Sequence, residues 1–261
     1  MLKYRIATAV IGIPFLILLI YLGSIPLACT TATMYLIGIY EYIRLVKKAG
    51  YSPFAVSMYL GGFLIVLGSL VHNRSNPEFF ILLVVFLIVF EWLSRKQHLE
   101  ISDLAVSLMG VLYLILLMYI NLLRELPNGF FFLVLILILI WTTDTGAYIV
   151  GKKFGKNKLA SKISPNKTIE GAVGGIAQAI LVAIIISSFT AIRTFDAIAL
   201  GIIISIVGQI GDLFESSLKR KANSKDSGKL LPGHGGFLDR FDSMIFAAPA
   251  AYYYIVFFIL P

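Results

Sequence analysis

The chain has 261 residues, of which 59% are hydrophobic and 14% charged, with a formal net charge of +8 and a mean hydropathy of +0.90. That composition excludes an ordinary soluble domain, which needs far more polar surface. The excess of base does not point to nucleic acid, because membrane proteins gather lysine and arginine in their cytoplasmic loops.

In chain order, nine apolar runs are predicted to be helices, at about 6–22, 27–43, 54–71, 79–93, 103–123, 130–150, 168–190, 197–213 and 243–260. Runs of this length can cross a hydrocarbon core of about 30 Å. They are continuously apolar rather than alternating, which argues against a transmembrane β-barrel. The expected fold is therefore all-α, a polytopic integral membrane protein with about nine transmembrane helices. The first run follows Lys3 and Arg5 as a signal peptide would, but no small-residue cleavage site follows, so it is read as a retained helix. Nineteen of the 22 lysines and arginines fall at the N-terminus or in the second, fourth, sixth and eighth connections. Arg74, Arg124 and Arg193 are the remainder. This asymmetry predicts a cytoplasmic N-terminus and an outside C-terminus. Two connections are long, about 151–167 and 214–242, and both fall on the cytoplasmic side. Gly171, Gly174 and Gly175 are expected to let helices approach closely.

Carboxylates recur at one level of this layout. Asp144 lies late in the sixth span, Asp212 ends the eighth, and Asp239 and Asp242 open the ninth. Ser205, Gln209, Asp212 and Ser216 form one polar stripe on an apolar helix, and Asp239 and Asp242 share a face. Acidic residues are costly in lipid and mark function, and clustered carboxylates without a cation would repel one another. Hard oxygen ligands so arranged suit Mg²⁺, which takes one or two carboxylates together with substrate phosphates.

Lys219, Arg220, Lys221, Lys225, Lys229 and Arg240 surround these acids, and six lysines from Lys152 to Lys167 line the sixth connection. A single lysine there is ordinarily a solvated charge. Beside an acid cluster, the group suggests a bound metal–polyphosphate complex. The turn Pro232-Gly233-His234-Gly235-Gly236 can present successive N–H groups to an anion. His234 could donate to a phosphate or merely brace the loop. There is no Walker P-loop, zinc pattern or Ser-His-Asp arrangement.

Residues 216–242 resemble the signature of the phosphatidate cytidylyltransferases, or CDP-diacylglycerol synthases. The likeness runs from Ser216 through Lys219-Arg220, Lys225-Asp226, Gly228 and His234-Gly235-Gly236 to Asp239-Arg240 and Asp242, without departure. A second block, D-T-G-A-Y-I-V-G-K-K-F-G-K at 144–156 with I-S-P-N-K-T-I-E-G at 163–171, is also similar to this family. The first 125 residues match only in hydrophobic layout.

The resemblance implies a Mg²⁺-dependent nucleotidyltransferase of phospholipid biosynthesis: CTP and phosphatidic acid give CDP-diacylglycerol and pyrophosphate. It implies a multi-pass protein of the inner (cytoplasmic) membrane, active at the cytoplasmic side, and a homodimer. Residues 126–261 would carry catalysis, and residues 1–125 the dimer and lipid-groove elements. Asp212 and Asp239 are the expected Mg²⁺ ligands, on helices that converge. Asp242 and Asp144 could complete a second cation site or stand behind the first. Lys219, Arg220 and Lys225 would grip the phosphates of CTP or of the lipid. Lys167, Ser216, His234, Gly235, Gly236 and Arg240 would line the substrate site. Two rival readings are a CTP-dependent lipid kinase and a transporter. The transporter fits less well, because its charges would gather at mid-membrane in paired repeats.

Overall fold

The computed structural model of the chain describes residues 2–71, 77–94, 100–228, 230 and 235–260. Among the described residues ten α-helices follow one another: α1 (Leu2–Leu22), α2 (Ser24–Lys48), α3 (Ala55–Val71), α4 (Pro77–Ser94), α5 (Ile101–Ile115), α6 (Met118–Glu125), α7 (Gly129–Phe154), α8 (Ile169–Ser187), α9 (Thr194–Lys221) and α10 (Leu238–Tyr254). A π-helical turn, Ile255–Ile259, continues α10. Each predicted apolar run is helical. The fifth is broken into α5 and α6 near Leu116 and Leu117. Among the described residues, five helical stretches are long and apolar enough to cross a membrane: Ile101–Glu125, Gly129–Phe154, Ile169–Ser187, Thr194–Lys221 and Leu238–Ile259. The protein is an integral membrane protein built almost wholly of helix.

One expectation of the all-α reading is amended. Between α7 and α8 lies a small antiparallel hairpin of β1 (Lys158–Ala160) and β2 (Ser164–Thr168), with Lys158 opposite Thr168 and Ala160 opposite Ser164. Two helices also outrun their apolar segments. α7 continues to Phe154 and α9 to Lys221. The last turn of α9 carries Lys219, Arg220 and Lys221, cations that favour the negative end of a helix dipole. The chain forms two compact units, Met1–Phe130 with Leu218–Arg240, and Phe131–Ser217 with Phe241–Pro261.

In the first unit, α2 packs on α3, α5 and α6, and α3 packs on α4. Tyr35, Tyr42, Phe54, Met58, Leu114 and Leu123 fill its core. The phenol oxygens in that core are satisfied by backbone: Tyr35 Oη donates to Met58 O at 2.7 Å and Tyr42 Oη to Val106 O at 2.8 Å. Gly62 and Gly110 leave room for those two rings, where a Cβ would strike Tyr35 and Tyr42. The turn after α2 is tied to α5, because Asp103 Oδ1 accepts from Ser52 N and Ser107 Oγ from Phe54 N. Arg124 closes the end of α1 by donating to Ile20 O and Tyr21 O.

In the second unit, small residues set the distance between α7 and α8. A Cβ on Gly171 would lie 2.8 Å from Ala147 O, one on Gly175 2.7 Å from Thr143 O, and one on Gly174 against Val150. The close approach expected for these three glycines is therefore present. Thr143 Oγ1 and Ser205 Oγ meet at 2.7 Å between α7 and α9. Gly211 on α9 fits against the Asp242 carbonyl of α10, and the Phe214 and Phe246 rings lie beside it with centroids 5.5 Å apart.

Candidate active site

In the second unit the polar stripe of α9 faces the hairpin that precedes α8. The sequence I-S-P-N-K-T-I-E-G explains that hairpin's position. Thr168 caps α8 by accepting from Gly171 N at 3.1 Å, and Ile169 N donates to Asn157 O at 2.9 Å. Glu170, in the first turn of α8, accepts from Lys156 N, Asn157 N and Asn157 Nδ2, the last at 2.8 Å. A carboxylate at a helix start is favoured by the dipole, and here it also fixes the incoming loop. β2 then delivers Lys167 to Asp212, and the two form an ion pair. Glu170→Ala should loosen this lysine-rich hairpin. We expect faster trypsin cleavage after Lys156 and Lys158 in the purified protein. Unaltered cleavage would show that the strand pairing alone holds the loop.

The Lys167–Asp212 pair opens on a pocket of about 470 Å³ whose walls include Asp144, Tyr148, Lys152, Asn166 and Gln209. That volume lies within the roughly 300–1,000 Å³ of small-molecule sites. Lys152 reaches over the Tyr148 ring, 5.8 Å from its centroid. Lys167 has three protons and faces one carboxylate oxygen of Asp212, so donors remain for a phosphate. Ser216 donates to Asp212 Oδ1 at 3.3 Å. Gln209 Nε2 donates to Ser205 O and Ala172 O, so the carbonyl of its amide is the end left for a ligand. Ser205 lies deeper and is used in packing against Thr143.

The first unit holds a second lysine–aspartate pair. Lys219, in the last turn of α9, donates to Asp239 Oδ1 at 2.6 Å. Asp239 is in the first turn of α10, and its side chain is only 8% exposed. Its other oxygen, Oδ2, accepts from Ser227 N at 3.0 Å and Gly236 N at 2.8 Å, with Ser227 Oγ at 3.0 Å. The anion that fills this part of the glycine turn is thus the protein's own carboxylate. Gly235 adopts φ +88, and a Cβ there would lie 2.7 Å from Asp239 Oδ2, so the position needs glycine for both conformation and space.

Arg220, Lys225 and Arg240 are exposed on the same unit. Asp242, in the second unit, accepts from Ser243 N at 2.6 Å. His234, with Lys229 and residues 231–233, lies outside the described residues.

Sequence reasoning passed over Glu41. It lies late in α2, is 2% exposed, and accepts from Phe237 N, Leu238 N and Ser227 Oγ. A lone acid inside an apolar run was the available signal.

The donor chemistry also bears on a metal. Among the described residues, no three His, Cys, Asp or Glu side chains are grouped to hold an ion by themselves. That excludes an all-protein cage of the zinc type there, but it fits Mg²⁺, which keeps waters and binds through one or two carboxylates plus substrate phosphates. Asp144 and Asp212 line one open pocket, where Asp212 would take an ion by sharing or yielding Lys167. Asp239 would do so only by exchanging Lys219 for the ion.

An integral membrane protein thus carries a lysine–aspartate pair, Lys167 and Asp212, beside an open pocket. Comparison with known proteins identifies the family. The profile of the Cytidylyltransferase family matches residues 3–258, and the chain belongs to that family. A phosphatidate cytidylyltransferase of Synechocystis sp. is 34% identical over 282 residues, covering 97% of this chain and 96% of its own. Those of Staphylococcus haemolyticus and Bacillus subtilis are 35% and 32% identical, covering 95% and 98% of this chain and 96% and 98% of their own.

Proposed function

We propose that the protein is a phosphatidate cytidylyltransferase, joining CTP to phosphatidic acid to give CDP-diacylglycerol and pyrophosphate in phospholipid biosynthesis. The near full-length similarity to enzymes of that name carries this reading. The pocket chemistry supports it, since both substrates are anionic phosphates and one is a lipid.

In the reaction, an oxygen of the phosphatidate phosphate forms a bond to the α-phosphorus of CTP. The bond from that phosphorus to the bridging oxygen of the β-phosphate breaks, and the electron pair leaves with pyrophosphate. The nucleophile is already ionised, so positioning and charge neutralisation dominate over proton transfer. Lys167, which keeps donors beside Asp212, holds one phosphate. Lys219, Arg220 and Lys225 grip others, with Arg240, Ser216 and the His234-Gly235-Gly236 turn as further contacts. Asp212 and Asp144 would hold Mg²⁺. Asp239 is a further candidate ligand, which would take an ion in place of Lys219, and Asp242 would help to hold a second cation. The bound ion would neutralise phosphate charge and polarise the reacting centre.

The same reading takes all nine apolar helices as membrane spans of the inner membrane. The N-terminus and active site face the cytoplasm and the C-terminus faces outside. Residues 1–125 supply lipid-groove and homodimer surfaces, and residues 126–261 supply catalysis.

Product analysis tests the reaction. With CTP labelled on the γ-phosphate and phosphatidate in mixed micelles, label should appear as pyrophosphate, in step with CDP-diacylglycerol. Release of CDP with a phosphorylated lipid would instead identify a kinase and overturn the proposal.

A further inference from the structure

Glu41 is a buried carboxylate that the chemistry above does not use. It comes from α2, far in sequence from Ser227, Gly228 and residues 236–238, yet all of these lie against it. Glu41 Oε1 accepts from Phe237 N at 2.9 Å, and Oε2 accepts from Leu238 N at 3.0 Å. These are N–H groups at the start of α10, which have no partner within their own helix, so a carboxylate from α2 serves as the cap. Two signature glycines also answer to it. A Cβ on Gly228 would collide with Glu41 Oε1, and one on Gly236 would lie 2.5 Å from Oε2. Gly38, one turn before Glu41, leaves room for Phe237 and Leu238, whose side chains would lie 3.3 and 3.4 Å from an added Cβ.

Glu41 also reaches the Lys219–Asp239 pair through one hydroxyl. Ser227 Oγ is 2.8 Å from Glu41 Oε2 and 3.0 Å from Asp239 Oδ2. A hydroxyl has one proton, so it can donate to only one of these carboxylates at a time. The connected order is Glu41, Ser227, Asp239, Lys219. Every link is buried or nearly so, where a charged hydrogen bond is strong and its loss is costly.

We propose that Glu41 is a positioning residue of the active site. From α2 it fixes Ser227 and the start of α10 at Phe237 and Leu238 and, through Ser227, sets the geometry in which Asp239 presents Lys219 to a substrate phosphate. The proposal rests on the cytidylyltransferase reading for its kinetic consequence, but not for its structural one.

The test compares full-length wild type, Glu41→Gln and Ser227→Ala in detergent by steady-state kinetics and amide hydrogen exchange. Glu41→Gln keeps the shape but puts an NH₂ where an acceptor stood. It should raise the KM for CTP or for phosphatidate, whichever phosphate Lys219 meets, by about tenfold, the effect of losing one charge-assisted hydrogen bond. Exchange at Ser227 and at 236–238 should accelerate. Ser227→Ala removes only the bridging hydroxyl and should shift the same KM by less. It also carries the test if Glu41→Gln does not fold. A partly unfolded sample lowers apparent kcat without moving KM, so the KM shift separates positioning from general destabilisation. Unchanged KM values in both variants would overturn the proposal, even if exchange accelerated. If wild type forms no CDP-diacylglycerol, the functional reading fails on its own, and unchanged exchange in Glu41→Gln would then overturn the structural half.

Discussion

Asp212→Asn should lower the rate of CDP-diacylglycerol formation about a hundredfold or more, the scale on which a single electrostatic group at a reacting phosphate acts. The side chain pairs with Lys167 and accepts from Ser216 at the mouth of the pocket. Asparagine keeps the size and can still accept from Ser216, but it removes the charge that would hold a divalent ion and pair with the lysine. Asp212 is about one-third exposed, so its loss should affect folding little. Lys167→Ala in the same preparation should raise the KM for one anionic substrate. If Asp212→Asn turned over at the normal rate, the pocket would not be the reacting site.

Asp239→Asn should be as damaging to activity and more damaging to the fold. Its carboxylate receives Lys219 on one oxygen and two backbone N–H groups on the other, in a largely buried place. An amide cannot serve both oxygens, because one becomes a donor aimed at donors. Removing one member of a buried ion pair typically costs about 3–5 kcal/mol, so the thermal midpoint should fall by several degrees. Lys219→Ala should reduce activity comparably, and the double variant should be little worse than either single one, since the two act as a unit. Additive losses would mean that Lys219 and Asp239 serve separate steps.

The helices were readable because lipid demands long apolar runs, and each run is helical in the structure, the fifth as two helices. Their ends were less readable. Asp212 lies near the end of its apolar run, and the helix continues past Ser216 to Lys221, because a polar segment remains helical once a hydrophobic stretch has nucleated it. The hairpin at Lys158–Thr168 escaped notice because Pro165, Asn166 and its lysines carry no strand pattern. Lys167, Asp212 and Asp144 were legible as a polar group from residue type and topology, and the pocket they share is the physical result. Ser227 and Glu41 were not legible, since a serine in a loop and one acid in α2 reveal their connection only across a separation of 186 residues. The signature glycines were visible, but the tight approach of Gly235 to Asp239 and of Gly236 to Glu41 was not, since residue type alone does not reveal it.

Asp212 is proposed to hold a divalent ion where nucleotide phosphate binds. Mn²⁺ can replace Mg²⁺ and be counted by electron paramagnetic resonance on purified protein with a non-hydrolysable CTP analogue. Wild type should bind Mn²⁺ in a nucleotide-dependent manner, and Asp212→Asn should lose that binding. Equal, nucleotide-dependent Mn²⁺ occupancy in the two proteins would contradict it.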